Sequence, residues 1–363
     1  MNFACEQEAQ DFLAANPDIE LFELFILDAN GVPRGKLLHR DELLAVYRSG
    51  RPLPSTILGL TMNGEDVEDS GLVWDVGDID CRAYPLSGSL VRLPWRQIPT
   101  AAVQVSMHPS EGLPASIADP RHLLVRTIDA LKSDGYHPVM AAELEFYLLD
   151  RERDANGRPQ PARDADGGRP RATQVYGLRE LEQIEPFLAD LYAACKAQGL
   201  PARGMLASLL DSLLLFCPNA NSYRRFQANS YAPLAQTWGV DNRTVSLRVP
   251  GGPASSRHIE HRICGADANP YLAAAALLAG VHRGIREGID PGTPVEGNGY
   301  AQAGKRLPTD WLTALDALQG SEWAREAFGE PFLGVYLAVK RAEYRQFMGE
   351  VGEQDWRWYL TQA

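Results

Sequence analysis

The sequence predicts an α+β protein in two parts, a small mixed α/β domain over 1–108 and a larger part over 109–363. Three observations carry that reading. A chain of 363 residues exceeds one small module and can bury its core without staples. The apolar run Leu21–Leu27 ends at Asp28-Ala29-Asn30-Gly31, the pattern of a strand entering a hairpin. Prolines at 120 and 270 stand where helices begin, and Asn269 supplies an N-cap to the second.

Taken in order, residues 1–20 read as an amphipathic helix with Phe12, Leu13 and Ile19 on one side. Gly35-Lys36-Leu37-Leu38 is the return strand of the hairpin, and a helix from about Arg40 to Arg48 follows. A Gly/Asp/Glu-rich stretch, Gly59–Gly71, leads into short strand-like pieces broken by Pro85, Pro94, Pro99 and Pro109. The second part opens with a helix over Pro120–Asp134. Val139–Asp150 reads as a strand, Arg151–Gln174 as a polar loop, and Leu178–Gly199 as a helix. Gly204–Phe216 is apolar enough for a buried helix, capped by Pro218–Ser222. Thr244–Val249 and His258–Ile263 read as strands. Helices then run from Asn269-Pro270, from a cap at Thr309 over Asp310–Leu318, and from about Phe332 to Met348.

Composition narrows the function classes. A net charge of −12 argues against nucleic acid as a partner, because phosphate binding needs a positive face. No apolar run reaches the roughly 18 residues of a membrane span. Met1–Glu8 is acidic and lacks the order of a signal peptide. The five cysteines (Cys5, Cys81, Cys195, Cys217, Cys264) form no C-x-x-C and read as reduced packing residues. The expectation is a cytoplasmic globular protein.

Three stretches could carry chemistry. On a strand, Glu143 and Glu145 share one face, either as a solvated edge or as oxygen ligands to a hard cation that offsets their repulsion. Asn221-Ser222-Tyr223-Arg224-Arg225 and Asp241-Asn242-Arg243-Thr244-Val245-Ser246-Leu247-Arg248 concentrate arginines. Such forks suit carboxylate and phosphate, and serve equally in surface salt bridges. Arg257–Arg262 alternates, placing His258, Glu260 and Arg262 on one face as an ion-pair ladder or a charge-compensated metal ligand. His258 and His261 taken singly read as packed or exposed histidines.

In order, E-x-E-F, N-S-Y-R-R, D-N-R-T-x-S-x-R-V-P, I-E-x-R and G-A-D-A-N-P-Y-L resemble the glutamine synthetase family, most of all its γ-glutamyl-amine (polyamine) ligase branch. Asp28-x-x-Gly31-x-x-Arg34-Gly35-Lys36, Leu307-Pro308 with Ala314-Leu315, and Lys340-x-x-Glu343 extend the likeness along nearly the whole chain. The resemblance implies an N-terminal β-grasp domain and a C-terminal catalytic domain with an antiparallel sheet flanked by helices. It implies ring oligomers, dodecamers in the family, with sites shared between subunits. It implies that ATP phosphorylates the glutamate side chain and that an amine or polyamine displaces phosphate from γ-glutamyl phosphate. By matching motif, Glu143, Glu145 and Glu260 would ligate Mg²⁺ or Mn²⁺. Arg225 and Arg262 would hold glutamate, and Arg243 and Arg248 the phosphoryl group in flight.

Two departures from the family pattern stand out. Where glutamine-forming members carry a glutamate that handles ammonium, this chain has Tyr231, which offers a packing surface or a cation–π face to an organic amine. The segment carrying E-x-x-x-G-Q-x-E and H-x-H-x-S-L has no counterpart, since Gly199–Gly204 runs almost directly into Leu213–Asn219. The chain is therefore expected to be a weak ligase, or a glutamine-synthetase-like binding or scaffold protein. Tyr231 argues against glutamine synthesis from ammonia.

Overall fold

The structure, a computed structural model, describes residues 3–109, 115–143, 145–164, 166–170, 177–198, 212–253, 257–302 and 304–360. The first part is a mixed six-stranded sheet. Its strands are β1 (Leu21–Leu27), β2 (Pro33–His39), β3 (Arg51–Pro54), β4 (Asp80–Pro85), β5 (Val91–Arg92) and β6 (Thr100–His108). They lie in the order β2-β1-β6-β4-β3, with β5 also on β6. β1 pairs antiparallel to β2 and parallel to β6.

The period of two in β1 decides what it buries. Phe22, Leu24 and Ile26 point inward and are almost wholly enclosed. Gly31 takes the left-handed conformation that the hairpin turn needs, at φ 78°. Gly35 faces the backbone of β1, where a Cβ would lie 1.8 Å from the Leu24 carbonyl oxygen. The helices Glu6–Ala15 and Leu43–Ser49 belong to this part. Ile19 falls beyond the first helix yet is fully buried.

The second part is mainly helical. Pro120–Ser133 packs along the alanine-rich Pro270–Glu287, which Asn269 caps as its sequence requires. Asp310, and not Thr309, caps the Trp311–Gly320 helix: its carboxylate accepts from the Thr313 N–H. Leu178–Gln183 and Glu185–Ala197 are two helices in place of one. Of the helix expected over Gly204–Phe216, residues 204–211 lie outside the described residues, and Leu213–Phe216 forms a buried turn of helix. The long Glu330–Gly349 helix serves both cores: Phe332, Leu333 and Tyr336 join the helical one, while Val335 joins that of the N-terminal sheet.

Two sequence expectations need correction. The described residues of Val139–Asp150 do not form a strand. Among its described residues the ladder is a single bridge from Leu149 to Pro161, and Tyr147 is 93% exposed. Its pairing is confined to the end, where the Leu148 carbonyl accepts from the Ala162 N–H and the Asp150 N–H donates to Gln160, and its apolar contacts are local, with Phe146 on Phe187 and Met140 at the margin of the helical core. The sheet of the second part is also mixed. β7 (Trp238–Val240) runs parallel to β8 (Leu247–Val249), which runs antiparallel to β9 (Glu260–His261). No helix among the described residues is long and apolar enough to cross a membrane.

β6 is fastened to the helix that follows it by a buried cluster. Asp119 caps Pro120–Ser133 by accepting from the Arg121 N–H at 2.9 Å and also accepts from Ser106 Oγ at 3.0 Å. The same hydroxyl lies 2.6 Å from His122 Nε2. Burial pushes the Asp119 carboxyl up from 3.8 to about 6, against its hydrogen bonds. Burial, aided by His108 and nearby arginines, lowers His122 from 6.5 to about 4.

These shifts have opposite effects on stability. Between pH 3.8 and about 6 folded Asp119 holds its proton more tightly than the unfolded chain does, so its contribution is lost as pH rises. Between pH 4 and 6.5 folded His122 binds fewer protons, so its contribution grows with pH. Asp119→Asn removes the first and keeps a capping side chain. Its stability relative to the parent should rise by about 3 kcal/mol between acidic and neutral pH, measured by urea unfolding at several pH values. A difference that does not change with pH would contradict the assignment.

Candidate active site

The register of the small sheet brings three of the expected residues together. Arg248 on β8 stands opposite Glu260 on β9, so their side chains share a face, and Arg262, two residues on, returns to it. Arg248 Nη1 donates to Glu260 Oε2 at 2.6 Å, and Arg262 Nη1 donates to Oε1. Both arginines are largely buried, with 18% and 14% of their side chains exposed. Burial would raise the Glu260 carboxyl, but the two guanidiniums outweigh it and hold it below its usual range. Asp241 adds a longer contact to Arg248, at 3.5 Å.

Arg225 lies alongside. Its Nη2 donates to the carbonyl of Ile263, the residue after Arg262, at 2.9 Å. The loop beyond it is closed by Ser230, whose hydroxyl donates to the Arg225 carbonyl at 2.9 Å. Tyr231 projects from this loop, 66% exposed, with φ at 60°. A bulky residue in the left-handed region is uncommon and costs backbone energy, so the ring is presented at the surface under strain. Arg243 is exposed in the turn between β7 and β8, above a shallow groove lined by Asn242 and by Pro294–Gly297.

His258 precedes β9 and is exposed. His261 is packed against Phe216, ring centroids 4.3 Å apart, and burial lowers its pKa to about 3, so it is a neutral core residue. Cys81 and Cys217 are buried packing residues, whereas Cys5 and Cys264 are exposed.

Glu143 and Glu145 are exposed on the irregular segment that replaces the expected strand. Among the described residues no group of three His, Cys, Asp or Glu side chains is placed to hold a metal ion. The three carboxylates therefore do not fit a divalent cation as they stand. Glu260 has both oxygens committed to arginines, and the other two lie on chain that no sheet fixes.

A second constellation was not assigned a role from the sequence. Lys340 is fully buried. Its Nζ pairs with Glu343 at 2.8 Å and donates to Asn219 Oδ1 at 3.2 Å and to Asn30 Oδ1. Asn30 Nδ2 and the Met62 N–H both donate to Glu343 Oε1, at 2.7 and 2.6 Å. Asn219 continues to Asp267, which also accepts from Ser222 at 2.8 Å. At the other end Asn269 Nδ2 donates to the Asp28 carbonyl at 2.9 Å, and Asp28 pairs with Arg34. The D-x-x-G-x-x-R, N-S-Y, G-A-D-A-N-P and K-x-x-E motifs thus meet in one buried network. The available signal was Lys and Glu on the apolar face of a helix, which cannot be buried unpaired.

The chain matches the family described as glutamine synthetase, catalytic domain, over residues 117–205 and 201–359. It belongs to the glutamine synthetase family. Within it, the chain falls in the γ-glutamyl-amine ligase branch. It is 29% identical over 460 aligned residues to γ-glutamylputrescine synthetase of Escherichia coli, covering 99% of this chain and 96% of that protein. It is 26% identical over 454 residues to glutamate–isopropylamine ligase of a Pseudomonas species, covering 97% of each. The solved structure of GmaS without ligand superimposes with a TM-score of 0.72 at 20% identity, over 96% of this chain and 98% of that one, which establishes the fold. Both alignments run longer than the 363 residues available, and the family match breaks at 201–205. The relatives carry a segment that has no counterpart here.

Lys340→Met strands the Glu343 carboxylate in the interior without its cation. It should cost about 3–5 kcal/mol of folding stability, with the double variant K340M/E343L recovering a large part of the loss. Thermal and urea unfolding of the four proteins in that cycle would test the network. A loss under 1 kcal/mol for K340M, within the range of an exposed pair, would show that it is not buried as described.

Proposed function

We propose that this protein recognises glutamate and an organic amine and joins them with ATP, through γ-glutamyl phosphate, at a low rate. The observation that carries this reading is the ordered face of Arg248, Glu260 and Arg262 with Arg225 beside it, in a chain whose full-length relatives include γ-glutamylputrescine synthetase and glutamate–isopropylamine ligase. Arg225 and Arg262 are assigned to the glutamate carboxylates, and Arg248 with Arg243 to the phosphoryl group. Their work is positioning and charge neutralisation. In the first step a side-chain carboxylate oxygen attacks the γ-phosphorus of ATP and ADP leaves. In the second, the amine nitrogen attacks the acyl carbon, inorganic phosphate leaves, and the nitrogen gives up its proton. Tyr231 supplies an aromatic face to an amine such as putrescine. Glu143, Glu145 and Glu260 as they stand do not fit the family's Mg²⁺ or Mn²⁺.

The same misfit favours a second reading, a binding or scaffold protein that keeps the fold without turnover. Single-turnover formation of γ-glutamyl phosphate from ATP and glutamate separates the two. The ligase reading expects slow formation, and putrescine preferred to ammonia as acceptor in competition. Complete absence of phosphoryl transfer leaves the binding reading, and a preference for ammonia would remove Tyr231 from the amine site.

Residues 1–108 are assigned as a β-grasp domain and 109–363 as the catalytic domain of a cytoplasmic, ring-shaped homo-oligomer, a dodecamer if it follows the family. Support comes from apolar side chains left at the surface, including Tyr147, Phe146, Trp356, Trp358 and Tyr359, which a neighbouring subunit would cover. Light scattering at micromolar concentration should find an oligomer. A monodisperse monomer would overturn the assembly and any site shared between subunits.

A further inference from the structure

We infer that in this chain Glu260 is the built-in occupant of a two-arginine anion site formed by Arg248 and Arg262, and does not serve as a metal ligand. The inference rests on the proposal that these arginines hold anions, and adds what holds them apart from ligand. Each Glu260 oxygen is engaged by a different guanidinium, Oε2 by Arg248 and Oε1 by Arg262. A divalent cation reaching those oxygens would have to displace a guanidinium and then sit beside two positive charges, and among the described residues no group of three His, Cys, Asp or Glu side chains is placed to hold it.

The arginines, in contrast, retain capacity. The Nε atoms of Arg248 and Arg262 are both buried and unpartnered. Two cations against the one carboxylate they share leave an excess of positive charge on this face, which the longer contact to exposed Asp241 offsets only weakly. Free N–H donors beside surplus positive charge suit a tetrahedral oxyanion, and Glu260 competes for the same forks. The device is an internal carboxylate that an incoming anion must displace, a phosphoryl group at Arg248 and a substrate carboxylate at Arg262, and inorganic phosphate probes both forks.

The test uses the full chain and two probes, Mn²⁺ followed by electron paramagnetic resonance and inorganic phosphate followed by calorimetry. The parent protein should show no stoichiometric Mn²⁺ binding. Glu260→Gln, which keeps the side-chain length and one acceptor, should bind phosphate about tenfold more tightly or better, because a competing charge is gone. Adding Arg248→Met to E260Q should abolish that gain. If E260Q does not fold by circular dichroism, Glu260→Asp, whose shorter carboxylate cannot span both guanidiniums, should show a smaller gain in the same direction. One Mn²⁺ per chain in the parent, lost in E260Q, would overturn the inference while leaving the arginines' role intact. No gain of phosphate affinity in a folded variant, with no Mn²⁺ bound by the parent, would overturn both.

Discussion

The protein is held in its working arrangement by one buried ion pair, Lys340 with Glu343, on the helix shared by both cores. Neither charge could be enclosed alone, since an unpaired buried ion costs more than a domain has to spare. Their leftover hydrogen-bonding capacity is met by Asn30 from the β1–β2 turn, the Met62 backbone, and Asn219 from the start of the Ala220–Tyr223 helix. The hairpin, the loop after it, the N-S-Y segment and the long helix are thereby constrained together. A pair of this kind does little for net stability compared with an apolar filling, but it admits few alternative arrangements. Here that selectivity links chain segments more than three hundred residues apart, as in the Asn30–Glu343 contact.

The same logic distinguishes this network from the face of the small sheet. Around Lys340 the side chains satisfy one another almost completely, whereas Arg248 and Arg262 each keep a buried donor without a partner. A satisfied cluster fixes structure, and an under-satisfied one retains hydrogen-bonding capacity. That contrast separates motifs that look alike in the sequence, where all are short polar patterns set in apolar surroundings.

The expected carboxylates of the site are held in two different ways. The small sheet is built from three short strands and the described residues of Val139–Asp150 do not join it, so Glu143 and Glu145 stand in solvent. Glu260, by contrast, is fixed on the sheet by the two guanidiniums within reach. The outcome is a family fold with its arginines assembled on one face and its carboxylates dispersed.

Local patterns determine much of this protein. The Leu21–Leu27 strand, its glycine turn, and the Pro120–Ser133 and Pro270–Glu287 helices follow from side-chain periodicity and from caps within a few residues, which act whatever surrounds them. The ordered motifs likewise identified the family and the amine-ligase branch, because a string of residues in sequence survives without its three-dimensional setting. The Val139–Asp150 strand failed because alternation names a strand's faces but not its partners. Glu143 and Glu145 could not be told from solvated carboxylates without the missing neighbours. Lys340, Glu343, Asn30, Asn219 and Asp267 became one network only through tertiary contact, since burial and pairing are properties of what the chain brings together from a distance.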